Sequence, residues 1–194
     1  MMPELMILIA STRPGRVGLP VGEWFHRVAR QQATFDVKLV DLKELELPFM
    51  DEPYHPRLRQ YQHAHTRRWS GMVEAADAFV FVIPEYNFGF TAPLKNAIDY
   101  LSQEWQYKPV GFVSYGGVSA GTRAVQMAKQ VVTALKMVPV PEAVTIPFVS
   151  QLIKEGKFQS NEPLDAAAAL MLDELERWET TLRPMRKAVQ TTSR

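Results

Sequence analysis

Six consecutive apolar residues, Ala78-Phe79-Val80-Phe81-Val82-Ile83, leave no polar face in the most hydrophobic stretch of the chain. A strand with one wet face alternates apolar and polar residues, so a run of this kind belongs to a strand covered on both sides. That is the condition of a parallel sheet sandwiched between helices. Leu5-Met6-Ile7-Leu8-Ile9-Ala10 has the same character, while Val37 to Asp41 and Val110 to Tyr115 resume an extended pattern. Helical patterns alternate with them. Val21 to Gln31 gathers Trp24, Phe25 and Val28 on one face, and Ala92 to Leu101 places Leu94, Ala97, Ile98 and Leu101 at i, i+3, i+4 and i+7. Thr122 to Leu135 and Leu164 to Leu182 are two further amphipathic helices, the second turning Leu175, Trp178 and Leu182 inward. Val138 to Ile146 contains two prolines and reads as an edge strand. Strands separated by helices imply right-handed βαβ units, hence an α/β doubly wound five-stranded parallel sheet with helices on both faces.

The 194 residues suit one domain with a sizeable core. No repeat or linker divides them, so residues 1–187 are expected to form a single domain and 188–194 a frayed polar tail. The one long irregular stretch, Leu47 to about Arg67, carries Pro48, Pro53 and Pro56. A formal net charge of +1 supplies no field for nucleic acid or an anionic membrane surface. The complete lack of cysteine excludes disulfides, thiolate catalysis and Cys-ligated metal centres. The amino-terminal apolar stretch is six residues long without a cationic lead-in, so it reads as a buried first strand and not as a signal peptide. No apolar run approaches the roughly 18 residues of a membrane helix, and a cytoplasmic location is the expectation.

Open doubly wound sheets bind ligands beyond the carboxyl ends of their strands, at the switch in strand order. The segments that follow the first, third and fourth strands are therefore the candidates. The first, Ser11-Thr12-Arg13-Pro14-Gly15-Arg16-Val17-Gly18, brings hydroxyls and free backbone N–H groups to a helix amino terminus, an anion site to which Arg13 and Arg16 add charge. Neither the GxxxxGK[ST] nor the GxGxxG spacing is present there. The second runs from Pro84 through Glu85, Tyr86, Asn87, Phe88, Gly89 and Phe90 to Asn96, and suits a flat ring held at its edge by backbone groups; the competing reading is a loop packed against another subunit. In the third, Ser114 to Gly121, Gly116, Gly117 and Gly121 let backbone approach a ligand closely.

These three segments resemble those of the NADPH-dependent FMN reductase family. ASTRPGR is similar to its phosphate loop, PEYNFGFTAPLKNAIDYLS to its most specific signature, SYGGVSAG to its glycine loop and LELPFMDE to its stretch after the second strand. The similarity spans about residues 5 to 145. It implies a flavodoxin-like fold, FMN as cofactor and NADPH (with NADH possible) as hydride donor; a homodimer or tetramer is expected separately, because the aromatics of the loop after the third strand would otherwise expose a large apolar patch. The resemblance also implies that Ser11, Arg13, Arg16, Val17 and Gly18 surround the FMN phosphate. Pro84, Glu85, Tyr86 and Asn87 would line the isoalloxazine edge, with Ser114, Gly116 and Gly117 on its other side. Two positions depart from the family pattern: Ala10 replaces a frequent glycine and Arg16 a frequent serine, which leaves open whether hydroxyl or guanidinium holds the phosphate. The implied reaction passes a hydride from NAD(P)H to FMN and then electrons to a small-molecule acceptor (flavin, quinone or azo compound) by a ping-pong scheme. The flavin carries the chemistry, so no catalytic acid or base is assigned. Phe88, Phe90 and Trp105 are candidate walls of the substrate face, with packing in the core or at an interface as the equal alternative for each.

Other readings compete. An FMN-binding electron carrier would share the fold, but flavodoxins proper are strongly acidic and this chain is not. Gly117-Val118-Ser119-Ala120-Gly121 formally reads GxSxG, yet His26, His55, His63 and His65 all precede Ser119, the reverse of the α/β-hydrolase order. His63 and His65, with Asp51 or Glu52, have a spacing compatible with a metal but no further ligand at defined spacing. Arg57, Arg59, Arg67 and Arg68, interleaved with Tyr61 and Trp69, read as a solvated helix face or as a contact to the additional phosphate of NADPH.

Overall fold

A computed structural model describes the backbone of residues 2–192 and side chains as far as Arg186. Five strands, β1 (Glu4–Ile9), β2 (Asp36–Asp41), β3 (Ala78–Pro84), β4 (Pro109–Tyr115) and β5 (Val138–Ile146), form one parallel sheet in the order β2-β1-β3-β4-β5. This is the flavodoxin-like order, with its switch point between β1 and β3. The carboxyl ends are level across the sheet: Ile9 stands opposite Asp41 on one side and Val82 on the other, Pro84 opposite Tyr115, and Tyr115 opposite Ile146. The loops after β1, β3 and β4 therefore leave the same edge side by side.

The apolar runs fill both faces. Phe79, Phe81 and Ile83 of β3 pack with Met6, Leu8 and Phe112 against α3 (Ala64–Ala75), α4 (Ala92–Asp99) and α5 (Thr122–Ala134). The alternate residues Ala78, Val80 and Val82 face α1 (Gly18–Gln32) and α6 (Glu162–Thr192) together with Leu5, Ile7 and Val113. All of these strand residues have essentially no exposure. At roughly 25 cal/mol per Å² of apolar surface removed from water, this two-sided burial is the main term that holds the sheet. β5 closes one edge; its prolines and a shift in register between Val110 and Phe112 of its neighbour blunt the pairing edge.

Several elements differ from the expectation. The stretch thought irregular as far as Arg67 contains a 3-10 turn at Pro56–Leu58, and α3 begins at Ala64. The buried positions of α3 are Thr66, Trp69, Ser70 and Val73, an i, i+3, i+4, i+7 stripe half of which is polar, so hydropathy alone hides it. A one-turn helix, α2 (Leu42–Leu45), follows β2, and a two-residue hairpin, β6 (Ile153–Lys154) and β7 (Lys157–Phe158), precedes α6 and packs Phe158 on Trp24. The backbone of α6 continues through Thr192, across most of the segment expected to fray; residues 193 and 194 of that segment lie outside the described residues. Among the described residues, no helix is long and apolar enough to cross a membrane.

Candidate functional site

The loop after β1 turns sharply at Arg13-Pro14-Gly15-Arg16, where the Arg16 N–H donates to the Arg13 carbonyl at 3.1 Å. Proline at the second position and glycine at φ 69° at the third are the type II combination. α1 then starts with Val17 as its cap, without a side-chain cap hydrogen bond and without an acidic residue in the first turn. Its first amide donors have no intrahelical acceptors, and the helix dipole makes this end attractive to an anion. Gly18 lies against the Tyr115 phenol so closely that a Cβ would overlap the hydroxyl, which brings α1 tight onto β4.

Arg16 does not extend into solvent. Its side chain is 8% exposed, and Nη2 pairs with Oδ2 of Asp41 at the end of β2. Arg13, by contrast, is exposed. Ser11 is buried, and its hydroxyl lies 3.0 Å from that of Tyr86, so the loops after β1 and β3 meet through a shared hydrogen bond. Thr91 adds a second tie: its hydroxyl donates to the Ala10 carbonyl at 2.8 Å and accepts from the Leu94 N–H as the cap of α4.

The loop after β3 holds an uncommon turn. Tyr86 and Gly89 exchange both backbone hydrogen bonds at 2.9 Å, with Asn87 at φ 50° and Phe88 at φ 70° between them. Two consecutive left-handed residues define a type I′ turn, whose second central position normally goes to glycine. Phe88 occupies it at a strain of about 1–3 kcal/mol. The Arg123 guanidinium stacks 3.9 Å from the centre of the Phe88 ring and pairs with the Glu85 carboxylate. Glu85 also accepts from the Arg123 backbone N–H at 3.2 Å. Burial works to raise the Glu85 pKa, but the bonds from Arg123 and Ser119 outweigh it and hold the carboxyl below its usual range.

After β4, the three glycines differ in role. Gly121, at φ 81°, is pressed onto β4: an added Cβ would stand 2.9 Å from the Tyr115 backbone nitrogen. A Cβ added at Gly116 would stand 3.3 Å from the Gly121 nitrogen, whereas one at Gly117 has nothing within 4 Å and opens onto space. That space is a cleft of about 490 Å³ lined by Glu85, Asn87, Phe88, Gly117, Val118, Ser119 and Arg123. The segment after β5 seals the back of the loop, the Phe148 and Val149 N–H groups donating to the carbonyls of Gly117 and Gly116. The Ser114 Oγ, Arg16 Nε and Tyr115 hydroxyl are buried without a hydrogen-bond partner. Burial also pushes the Tyr115 phenol above its ordinary pKa.

The sequence-predicted residues thus gather at one sheet edge: Ser11, Arg13, Arg16, Val17 and Gly18 at one end, Pro84, Glu85, Tyr86 and Asn87 beside them, and Ser114, Gly116 and Gly117 across from these. Two of the candidate walls take the alternative of core packing. Trp105 is fully buried in the core against Trp69 and Phe79 and is no wall of a cleft, and the half-buried Phe90 packs on the same core. The Glu85 carboxylate is engaged by Arg123, so any contact from this residue to a ring falls to its backbone. Asp41, Tyr115, Arg123 and Phe148 escaped the sequence reading; only Tyr115, beside the glycine loop, carried a positional signal.

Ser119 lines the cleft beside Glu85 and forms no hydrogen bond with a histidine among the described residues. His63 and His65 stack with ring centres 5.2 Å apart, and His65 Nε2 lies 3.0 Å from Asp51. Arg59 pairs with Glu74, while Arg67 and Arg68 donate to the carbonyls of Tyr61 and Leu45. Arg57 lines a groove of about 1000 Å³ between α4 and α5.

Comparison with known proteins agrees with this geometry. Residues 3–151 match the family model of NADPH-dependent FMN reductases. An NAD(P)H-dependent FMN reductase of Schizosaccharomyces pombe is 38% identical over 149 residues, which cover 75% of this chain and 74% of that protein. One from Saccharomyces cerevisiae is 34% identical over 181 residues, covering 84% and 94%. In fold, the chain superposes on FerB, a flavoenzyme NAD(P)H:(acceptor) oxidoreductase from Paracoccus denitrificans, with a TM-score of 0.72 at 19% identity, over 92% of this chain and 98% of that one. The chain belongs to the NADPH-dependent FMN reductase family and is an oxidoreductase of FMN and a reduced nicotinamide nucleotide.

Proposed function

We propose that the three loops hold FMN between them, its phosphate at the amino end of α1 and its ring against Tyr86, Asn87 and Gly117, and that electrons pass from NADPH through this site to a small-molecule acceptor. The observation that carries the reading is a pair of complementary ends. Buried, unpartnered Arg16 Nε stands beside the uncapped amino end of α1, and the open flank of Gly117 faces the 490 Å³ cleft. FMN, when bound, supplies the redox chemistry, taking a hydride from NAD(P)H in one half-reaction and reducing the second substrate in another.

The protein's part is placement. Ser11, Arg13, Arg16 and the first-turn amides of α1 neutralise the phosphate. The rigid Tyr86–Gly89 turn and the Gly116–Gly117 backbone orient the ring edge, and backbone N–H groups at the pyrimidine end stabilise negative charge there. The exposed face beside Phe88 and Val118 admits donor and acceptor in turn, so no side chain is assigned as catalytic acid or base. Initial rates with NADPH varied at several fixed concentrations of a benzoquinone test the scheme. Parallel double-reciprocal lines agree with alternating use of one site, and intersecting lines contradict it.

Exposed apolar side chains around the site, Phe49 at 84%, Phe88 at 64% and Val118 at 81%, favour association into a homodimer or tetramer. Light scattering that gives a monomer mass at micromolar concentration overturns this.

A further inference from the structure

The Arg16–Asp41 pair has a one-sided geometry. Asp41 is the last residue of β2, level with Ile9 where β1 gives way to the phosphate loop. Its Oδ1 accepts the Lys43 N–H at 2.9 Å as the cap of α2, which fixes the carboxylate. Oδ2 meets Arg16 and takes Nη2 alone. A carboxylate free to turn would grip the guanidinium through two parallel bonds, occupying one whole edge. Held as it is, Asp41 leaves Nε unused. That nitrogen is buried and unpartnered in a side chain more than nine-tenths buried, two residues ahead of α1. A buried donor in this condition calls for an acceptor, and a phosphate at the amino end of α1 is the one that the site reading supplies.

We propose that Asp41 is a positioning residue for cofactor selection: it aims the Arg16 Nε–H at the terminal phosphate of FMN and so makes the site discriminate FMN from riboflavin. The proposal rests on the FMN reading of the site given above. A flavin without the phosphate gains nothing from Arg16 and leaves its Nε unpaired. Lysine cannot substitute, because its donors radiate from one point already committed to Asp41, whereas the guanidinium carries donors on separate edges.

Flavin fluorescence titrations with FMN and with riboflavin test this on the wild-type protein, Asp41→Asn and Arg16→Lys, with circular dichroism as the check on folding. The expected result for each variant is FMN binding weakened by at least about tenfold, the effect of one charge-assisted bond, while riboflavin affinity changes by less than about twofold. Asp41→Asn binding FMN more tightly or unchanged overturns the proposal, since Asp41 would then compete for the guanidinium and not aim it. Equal weakening for both flavins overturns it too, as a general disturbance of the loop. If Asp41→Asn fails to fold, Arg16→Lys decides alone: an unaltered FMN-to-riboflavin ratio is the contrary result. A wild-type protein that binds neither flavin removes the site reading itself and the proposal with it. One that binds FMN while the variants keep its selectivity removes only the role of Asp41.

Discussion

The hydroxyls of Ser11 and Tyr86 lie 3.0 Å apart across the switch point between β1 and β3, so the loop assigned to the phosphate and the loop assigned to the ring are one connected unit. Removing the tie loosens both. Tyr86→Phe deletes a neutral hydrogen bond worth about 0.5–1.5 kcal/mol, and FMN affinity is expected to fall about two- to tenfold. Fluorescence titration checks this; unchanged affinity would mean that the two loops bind independently.

Two glycines of one loop make a contrasting pair. Gly121→Ala sets a Cβ against the Tyr115 backbone at a positive φ and is expected to destabilise the protein by about 2 kcal/mol or more, lowering Tm by roughly 4–8 °C. Gly117→Ala meets no protein atom and is expected to keep Tm within about 2 °C while impairing FMN retention, because its methyl group enters the cleft. Melting curves of the proteins without flavin, together with flavin content after desalting, separate the two effects.

Phe88 occupies a glycine position of the type I′ turn. Phe88→Gly relieves about 1–3 kcal/mol of backbone strain and forfeits about 0.5–1 kcal/mol of stacking with Arg123. A stability gain of about 1 kcal/mol, or roughly 2–4 °C in Tm, is the expected net effect. Turnover with NADPH should drop at the same time if the ring borders the substrate face. A variant both less stable and fully active would contradict both halves of this account.

Away from the site, Lys108 is 5% exposed and donates to the carbonyls of Val73 and Glu74 at the end of α3. Burial lowers its pKa to about 8. Between about pH 8 and 10 the unfolded chain therefore holds a proton that the folded one releases, and stability rises with pH through that window, by up to about 3 kcal/mol at roughly 1.4 kcal/mol per pKa unit. Above about pH 10 the trend reverses as tyrosines ionise in the unfolded chain while burial keeps Tyr115 and Tyr61 protonated in the fold. Lys108→Met should lose the rise between pH 8 and 10 relative to the wild type in urea titrations. An identical slope in both would rule out Lys108 as its source.

How much of this was legible in the sequence follows from how far apart the cooperating residues lie. The buried strands were legible because β3 needs no partner to declare itself: Ala78 to Ile83 is apolar on both faces. The three loops followed from their places after β1, β3 and β4. Pairings across the chain carried no local signal. Arg16 meets Asp41 25 residues on, and Glu85 meets Arg123 38 residues on. For that reason the guanidinium of Arg16 looked free for solvent or phosphate, and nothing in the sequence pointed to Arg123 as the partner of the Glu85 carboxylate. Trp105 was open to a cleft or a core role because its sequence neighbours are polar, and the chain turns it under the sheet onto Phe79. α3 stayed hidden because Thr66 and Ser70 occupy its buried face, Ser70 satisfied there by the Glu104 carboxylate at 2.7 Å.

The most direct test of the central claim is an absorbance spectrum of the purified protein after addition of FMN and removal of the excess, followed by NADPH under nitrogen. The account predicts a flavin band that stays with the protein and bleaches when NADPH is added. A protein that leaves the desalting column without flavin, or holds a band that neither NADPH nor NADH bleaches, would contradict it.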